Sequence, residues 1–173
     1  MKNVVLIGFM GTGKSSVGRN LAVRLGAAFI DIDEAIETKC GMTVSEIFQK
    51  YGEDYFRKCE KEVTFEVASR KNTVIATGGG TVRDEENRKA LSESGFIIAL
   101  TASVEVIAER TAKEGTRPLL EGLSIEEREE KIAQLLYERK GIYENADYTI
   151  DTGELSPLQV VEDICRFLKM RRG

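Results

Sequence analysis

The feature that most constrains the fold is the eight-residue segment Gly8–Ser15, which reads GFMGTGKS. It matches the phosphate-loop pattern GxxxxGK(S/T), and it lies between an apolar run at Val4–Ile7 and an amphipathic stretch at Lys14–Leu25. A strand, a glycine-rich turn and a helix in this order direct backbone N–H groups toward a phosphate at the helix N-terminus. The sequence therefore predicts a site for ATP or GTP with Mg²⁺.

Within this loop, two side chains have separate chemical roles. Lys14 can reach the β- and γ-phosphate oxygens, and the Ser15 hydroxyl can bind Mg²⁺. We expect Lys14 to be an exposed loop residue with little part in core packing. The expected nucleotide contacts within the loop and the start of its helix are Gly11, Thr12, Gly13, Lys14, Ser15 and Ser16.

Short apolar runs alternate with amphipathic stretches along the rest of the chain. The predicted strands are Val4–Ile7, Ala28–Ile32, Thr73–Ala76, Phe96–Leu100 and Tyr148–Ile150. The predicted helices cover residues 14–25, 34 to about 70, 84–94, 103–111, 124 to about 144, and 157 onward. The second of these has a break near 40–41 and restarts at 43. This alternation is typical of an α/β domain whose parallel sheet is covered by helices on both faces.

Length and composition bound the possible functions. The 173 residues fit one domain, 1–173, and the net charge of −4 argues against a protein that binds duplex nucleic acid by neutralising phosphates. The absence of histidine excludes a serine-histidine triad and a histidine-based zinc hydrolase. No apolar run approaches the roughly 20 residues of a membrane span. Three cysteines without C-x-x-C spacing indicate free thiols in a reducing cytoplasm. We expect a cytoplasmic protein without nucleic-acid or membrane partners, and nothing demands more than a monomer.

The rest of the chain favours a small kinase over other nucleotide-binding proteins. It lacks the NKxD string of guanine-specific GTPases, and it is short for a mechanical ATPase. A kinase needs an acceptor pocket beside the phosphate loop. Asp31 and Asp33 end the second predicted strand, where residues two apart share a face. One carboxylate could support Mg²⁺ and the other could accept a hydrogen bond from a substrate hydroxyl, although helix capping would also explain them.

Three further features could complete such a pocket, although each has a simpler structural explanation. Arg57 and Glu60 are three apart on a helix, so Glu60 can hold the guanidinium, or the two can form a solvated pair. Gly78–Gly80 follows the third strand, where bare backbone can approach a ligand or form a flexible turn. Arg139, with Tyr143 one turn on, could be a surface charge.

The ordered set of motifs resembles the shikimate kinase family over nearly the whole chain. The matching segments are Gly8–Ser15, Asp31-x-Asp33, Phe56-Arg57-x-x-Glu60, Gly78–Gly80, Arg117-Pro118-Leu119-Leu120 and Arg139-x-x-x-Tyr143. The resemblance implies ATP-dependent phosphorylation of the 3-hydroxyl of shikimate, on the route to chorismate and the aromatic amino acids. It also implies a P-loop three-layer sandwich of the nucleoside-monophosphate-kinase type, built on a five-stranded parallel sheet. A substrate-binding helical region at about 34–62 and a lid at about 112–123 are expected.

The resemblance also assigns roles to single residues. It makes Lys14, Asp33 and Arg117 catalytic, with Ser15 and, through water, Asp31 at the Mg²⁺. The residues that it implies for shikimate are Asp33, Arg57, Gly78, Gly79, Gly80, Arg139, Phe48, Phe56 and Glu60. Within that set, Asp33 would orient the attacking hydroxyl, and the two arginines would clamp the carboxylate. Arg117 would come from the lid, and Arg110 with the loop 152–154 would lie near adenine.

Two alternatives to this interpretation are another kinase and, from a different class, a non-catalytic protein. Another small-acceptor P-loop kinase could act on gluconate or a nucleoside monophosphate, but neither acceptor offers a ring of hydroxyls for Asp33. A non-catalytic ATP-binding module would need neither Asp33 nor the pair of Arg57 and Glu60. Phosphoryl transfer depends on positioning and charge neutralisation, so the missing histidine is no obstacle to a kinase.

Overall fold

A computed structural model describes residues 1–113 and 119–171. Its five strands are β1 (Asn3–Gly8), β2 (Ala28–Asp31), β3 (Thr73–Ala76), β4 (Gly95–Thr101) and β5 (Tyr148–Asp151). They form one sheet in the order β2-β3-β1-β4-β5, and every neighbouring pair is parallel. The predicted parallel sheet is confirmed, and the carboxyl ends of all five strands lie along the same edge.

Seven α-helices and one short 3-10 helix (Thr81–Arg83) accompany the strands in the described ranges. The α-helices are α1 (Lys14–Leu25), α2 (Ile32–Cys40), α3 (Val44–Ala68), α4 (Glu85–Ser94), α5 (Val104–Lys113), α6 (Ile125–Glu144) and α7 (Pro157–Met170). Capping boxes begin α3, α6 and α7 at Thr43, Ser124 and Ser156. These are the starts that the sequence predicts, because each cap is followed three residues later by Glu or Gln.

The sheet separates two hydrophobic clusters, which makes the domain a three-layer sandwich. Along β1, Val4 and Leu6 face the cluster under α1 and α7, whereas Val5 and Ile7 face the cluster under α2, α3 and α4. Both faces of this central strand are buried, as the continuous apolar run predicts. A third cluster joins α5 and α6 beside the phosphate loop. In the described part of the chain, no helix is both long and apolar enough to cross a bilayer.

The boundary between β2 and α2 differs from the prediction. Asp31 Oδ1 accepts hydrogen bonds from the backbone N–H groups of Asp33 at 2.9 Å and Glu34 at 3.3 Å, so Asp31 caps the helix. The strand therefore ends at Asp31, and Ile32 is already helical. Predicting a strand to Ile32, with both carboxylates on its face, was wrong, because Asp33 lies in the first turn of α2.

The segment between α5 and α6 begins later than predicted. Residues 112 and 113, placed in the lid by the sequence, still belong to α5. Residues 114–118, which include Arg117, lie outside the described residues. Leu120 is buried in the cluster formed by α5 and α6, whereas Leu119 is exposed.

Candidate active site

The phosphate loop leaves the first turn of α1 without a side-chain cap. Gly13 occupies the N-cap position at φ 94°, and no acidic residue lies in that first turn. Gly11 also has a positive φ, 77°, a conformation that a side chain would strain. The backbone N–H groups at this helix start therefore have neither a hydroxyl nor a carboxylate as partner from the helix's own cap, which suits a phosphate.

Lys14 is buried within this loop. Its Nζ donates to the carbonyl oxygens of Gly8 at 2.8 Å and Phe9 at 2.9 Å, and the residue is only 9% exposed. The expectation of an exposed lysine was wrong, because the loop curls around the ammonium group and encloses it. Lys14 thus contributes to the shape of the loop as well as positive charge.

Ser15 and Asp31 bring two oxygen ligands together at the edge of the loop. Ser15 Oγ donates to Asp31 Oδ2 at 2.5 Å, while Asp31 Oδ1 caps α2. Within the described ranges, no group of three or more acidic, histidine or cysteine side chains could hold a metal by itself. Mg²⁺ is usually held by one or two protein oxygens together with phosphate oxygens and water. This donor pair therefore fits Mg²⁺ in the presence of a nucleotide.

Asp33 lies between the phosphate loop and the glycine-rich turn after β3. Burial, with smaller contributions from the charges of Asp31 and Glu60, raises the pKa of Asp33 to about 6, and the charge of Lys14 opposes this shift. A Cβ on Gly78 would lie 2.7 Å from Asp33 Oδ1, so only glycine leaves room for the carboxylate. The site thus holds a carboxylate that can accept a proton near neutral pH.

The other two glycines of the turn lie against two arginines. A Cβ on Gly80 would lie 2.8 Å from both terminal nitrogens of Arg57. Arg139 Nη1 donates to the carbonyl oxygen of Gly79 at 2.8 Å. The turn therefore brings together side chains from α2, α3 and α6, although α6 follows α3 by more than fifty residues in the sequence.

Arg57 is held by a network of acidic groups. Its Nη1 contacts Glu60 Oε1 at 2.9 Å, and its Nε lies 3.5 Å from Glu53 Oε1. Glu60 is 2% exposed, and its Oε2 accepts a hydrogen bond from Thr81 Oγ1 at 3.0 Å. The pairing of Arg57 with Glu60 follows the predicted spacing. Thr81 was not predicted, and its position directly after the glycines is the only sequence signal that could have found it.

Arg139 is a buried cation without an anionic partner in the described part of the chain. It is 3% exposed, its Nε has no hydrogen-bond partner, and no described carboxylate forms an ion pair with it. Its guanidinium lies 5.2 Å from the centre of the Phe9 ring. One turn on, the buried Tyr143 hydroxyl also lacks a partner in hydrogen-bonding geometry, and burial raises its pKa while Arg139 opposes this. A buried, unpaired charge is costly, so the site favours an anionic ligand.

Two adjoining cavities join these groups. One, of about 400 Å³, surrounds the phosphate loop, and the other, of about 480 Å³, extends between α2, α3 and α6. Ser15, Asp31 and Asp33 line both. The second cavity is also lined by Phe48 and Phe56, whose ring centroids are 4.7 Å apart. A phosphate donor and a small acceptor could therefore meet at Asp33.

Arg110, in α5, contacts both the phosphate loop and the loop after β5. Its guanidinium donates to the Gly11 carbonyl at 3.1 Å and to Thr152, through Oγ1 at 3.1 Å and the carbonyl at 2.8 Å. It thereby ties the loop 152–154 to the phosphate loop. In that loop, Gly153 N donates to Asp151 Oδ1 at 2.8 Å. Apart from Thr12 and Arg110, the predicted site residues that the structure describes line the two cavities, and Arg117 lies outside the described residues.

Comparison with known proteins gives consistent similarities. A family model described as shikimate kinase matches residues 10–169. A shikimate kinase of Thermodesulfovibrio yellowstonii is 50% identical over 166 residues, which cover 96% of this chain and 94% of the relative. A shikimate kinase of Thermoanaerobacter pseudethanolicus is 45% identical over 174 residues, with both chains fully covered.

A solved structure agrees with these sequence similarities. The shikimate kinase from Acinetobacter baumannii in complex with shikimate superposes with a TM-score of 0.92 at 39% identity. The match covers 99% of this chain and 94% of that one. The likeness therefore extends over the whole fold, including all the elements that surround the two cavities.

Proposed function

Because the chain belongs to the shikimate kinase family, we propose that the two adjoining cavities bind ATP and shikimate, with Asp33 at their junction. The activity is the ATP-dependent phosphorylation of the shikimate 3-hydroxyl, which yields shikimate 3-phosphate and ADP. This reaction belongs to the route to chorismate and the aromatic amino acids.

The observation that carries the assignment of residues is the buried guanidinium of Arg139, which has no anionic partner among the described residues. A planar carboxylate can accept two parallel hydrogen bonds from a guanidinium, which is stronger than an interaction with a point charge. Arg57 faces the same cavity on a side chain already fixed by Glu60. We assign the shikimate carboxylate to these two arginines, with Phe48 and Phe56 against the ring.

Asp33 then has the role of orienting the attacking hydroxyl. With a pKa of about 6, it is largely ionised at neutral pH and can accept a hydrogen bond from the 3-hydroxyl. In the transfer, a bond forms between the hydroxyl oxygen and the γ-phosphorus while the bond to the ADP oxygen breaks. The hydroxyl proton passes to Asp33, and we assign the backbone N–H of Gly79 to the ring substituents.

The phosphate loop provides the other half of the site. Backbone N–H groups from Gly11 to Ser16 surround the phosphates, and Lys14 exchanges its contacts with loop carbonyls for phosphate oxygens. Ser15 and, through water, Asp31 would hold Mg²⁺, which neutralises charge on the β- and γ-phosphates. Arg110 lies on the adenine side. The role of Arg117 over the transferring group rests on the family resemblance alone.

An acceptor comparison tests the function directly. ADP release would be measured in a coupled assay with MgATP and shikimate, gluconate or CMP as acceptor. We expect turnover with shikimate only, because gluconate has no ring and CMP has no carboxylate for the two arginines. Turnover with gluconate or CMP would overturn the assignment of the acceptor pocket. ATP binding without turnover would favour a non-catalytic module.

The carboxylate assignment has a sharper test in single variants. Arg57→Ala and Arg139→Ala should each raise the KM for shikimate about 10- to 150-fold, the range of 1.5–3 kcal/mol for a charged hydrogen bond, and change the KM for ATP little. Lys58→Ala and Lys140→Ala are matched controls, because each removes an exposed neighbouring cation from the same helix. Equal effects on the KM values of both substrates would contradict the assignment.

The molecular context of this activity is also part of the proposal. We assign α2 and the first part of α3, about residues 34–62, as the shikimate-binding region. A monomer in the cytoplasm is consistent with the acidic sequence and the three free cysteines. Light scattering of the purified protein would test the monomer, since a dimer would double the measured mass.

A further inference from the structure

Two cysteines face each other across the pair of helices that carries the acceptor pocket. Cys40 is the last residue of α2 and Cys59 lies within α3, and their Sγ atoms are 3.7 Å apart, with Cys40 donating to Cys59. Cys59 is buried and Cys40 is partly exposed. The remaining cysteine, Cys165, packs against the cluster on the opposite face of the sheet.

The two thiols are close enough to be joined by a small movement. A disulfide has an S–S distance of about 2.05 Å, so the sulfur atoms must approach by about 1.7 Å. Cys40 occupies the end of its helix, where Gly41 has a φ of 68° and α3 does not begin until Val44. Helix ends give way more easily than helix centres, so Cys40 can supply most of this movement.

We propose that Cys40 and Cys59 form an oxidation site, at which a peroxide converts the two thiols into an intrachain disulfide that links α2 to α3. The more exposed Cys40 reacts first. Its sulfur attacks the peroxide, an S–O bond forms as the O–O bond breaks, and water leaves after proton transfer. Cys59 then attacks that sulfur, the S–S bond forms, and the S–O bond breaks with loss of a second water. One peroxide thus oxidises two thiols to one disulfide.

The surroundings of the pair set the conditions under which it reacts. Lys39 and Glu62 form an ion pair at 3.2 Å beside it, and the Tyr55 hydroxyl lies near Cys59. Burial and the neighbouring Cys59 raise the pKa of Cys40, whereas Lys39 acts in the opposite direction. The thiolate is the reacting form, so oxidation is slow at neutral pH and is best followed at mildly alkaline pH.

The position of Cys59 links its oxidation to the acceptor pocket, an effect that rests on the proposed function. Cys59 lies directly beside Glu60 and two residues after Arg57, on the same helix. Drawing the end of α2 toward Cys59 shifts that helix, with Asp33 in its first turn, relative to Arg57 and Glu60. Since misplacement by about 1 Å can cost two orders of magnitude in rate, we expect kcat/KM for shikimate to fall at least about tenfold. The KM for ATP should stay unchanged.

The test follows the bond and the activity in the same samples. The reduced protein and the Cys165→Ser and Cys40→Ser variants would be treated with hydrogen peroxide, alkylated under denaturing conditions and analysed by intact mass and peptide mapping. We expect wild type and Cys165→Ser to lose two hydrogen atoms and yield a linked peptide pair containing Cys40 and Cys59. Cys40→Ser should form no such link and keep its activity after peroxide. Dithiothreitol should restore the activity of the oxidised proteins.

Two results would overturn the proposal. Recovery of Cys40 and Cys59 as alkylated thiols or as sulfinic acids, or in links to Cys165 alone, would show that the pair is not a disulfide site. A disulfide-linked protein with unchanged kcat/KM for shikimate would show that the disulfide does not alter the acceptor pocket. Failure of the proposed function is distinguishable, because the reduced enzyme would then lack shikimate-dependent turnover while the mass measurement remained valid.

Discussion

The surroundings of Asp33 raise its pKa toward neutral pH, and this gives the activity a defined dependence on pH. Burial and three neighbouring carboxylates raise its pKa from 3.8 to about 6. The ionised form accepts the hydroxyl proton, so kcat/KM for shikimate should rise with pH through about 6 and then level off. A pH profile measured at low shikimate concentration checks this. A profile that is flat between pH 5 and 7 would contradict a proton-accepting role for Asp33.

The same shift predicts an effect on stability. A carboxyl whose folded pKa is raised favours the folded state when protonated, and this contribution is present below pH 3.8 and lost as the pH rises through about 6. Asp33→Asn should therefore stabilise the ligand-free protein above pH 6, by at most about 3 kcal/mol at 1.36 kcal/mol per unit, and much less at low pH.

Urea unfolding well above and well below pH 6 would measure this stability change. Asp54→Asn, at an exposed position of α3, is the control and should change the free energy of unfolding little at either pH. An Asp33→Asn variant that is no more stable than wild type above pH 6 would show that burial of this carboxylate carries no cost.

For single residues, the sequence predicts which side chains belong to the site better than it predicts their burial and contacts. Lys14 and Ser15 could be placed because the phosphate-loop pattern dictates a backbone conformation. The burial of Lys14 could not, since it depends on how the loop carbonyls close around Nζ. Likewise, the contact of Thr81 with Glu60 joins residues that are 21 apart in sequence and depends on how α3 packs against the turn after β3.

Among the helices, α3 contains a break that the acceptor pocket depends on. Gly52 has φ 83° and ψ 176° inside this helix, a backbone conformation that only glycine adopts readily. In an unbroken helix, the eight steps along the chain from Phe48 to Phe56 would rise by about 12 Å. The break instead brings their ring centroids to 4.7 Å, so both rings line the same cavity.

Replacing glycine by alanine should therefore have opposite effects at two helical positions. Gly52→Ala should lower the free energy of unfolding by about 1–3 kcal/mol, and should raise the KM for shikimate because the rings separate. Gly141, in α6, has open space around its Cβ position and no positive φ. Gly141→Ala should raise the free energy of unfolding by about 0.5–1 kcal/mol. Chemical denaturation with steady-state kinetics checks both, and similar results for the two variants would contradict the role of the break.

Helix starts were predicted best where a cap and its partner residue occur together. In each capping box, at Thr43, Ser124 and Ser156, two backbone N–H groups receive side-chain hydrogen-bond acceptors. Few nearby positions offer the same pair of residues, so the helix start is well defined. Asp31 and Asp33 lack this distinction, because either aspartate could cap a helix. The choice depends on where β2 leaves the sheet, and pairing with β3 ends at Asp31.

For the whole molecule, alternating strands and helices predict a parallel sheet but not the order of its strands. The order β2-β3-β1-β4-β5 places β1 between β3 and β4, so the phosphate loop after β1 lies next to the glycine turn after β3. Neighbouring strands thus supply the two halves of the site. Arg139 reaches it from α6, and its burial follows from helix packing that periodicity alone does not reveal.

The buried charge of Arg139 lowers the stability of the ligand-free protein and favours binding of an anionic acceptor. In the described ranges, the buried guanidinium of Arg139 has no carboxylate partner, and the desolvation cost of such a charge is several kcal/mol. Arg139→Met keeps an apolar side chain of similar length and removes the charge. The variant loses the hydrogen bond to the Gly79 carbonyl, which costs about 1 kcal/mol, less than the charge itself. The ligand-free variant should therefore melt at a higher temperature than wild type.

The same variant should lose its response to shikimate. At a concentration a hundred times its Kd, shikimate should stabilise the wild-type protein by about 2.7 kcal/mol, which corresponds to a rise in Tm of roughly 5 to 10 °C for a domain of this size. Thermal unfolding of wild type, Arg139→Met and the exposed control Lys140→Met, with and without shikimate, would measure both effects. A less stable free variant would show that Arg139 is already satisfied within the fold. An undiminished shift with shikimate would show instead that the carboxylate binds elsewhere.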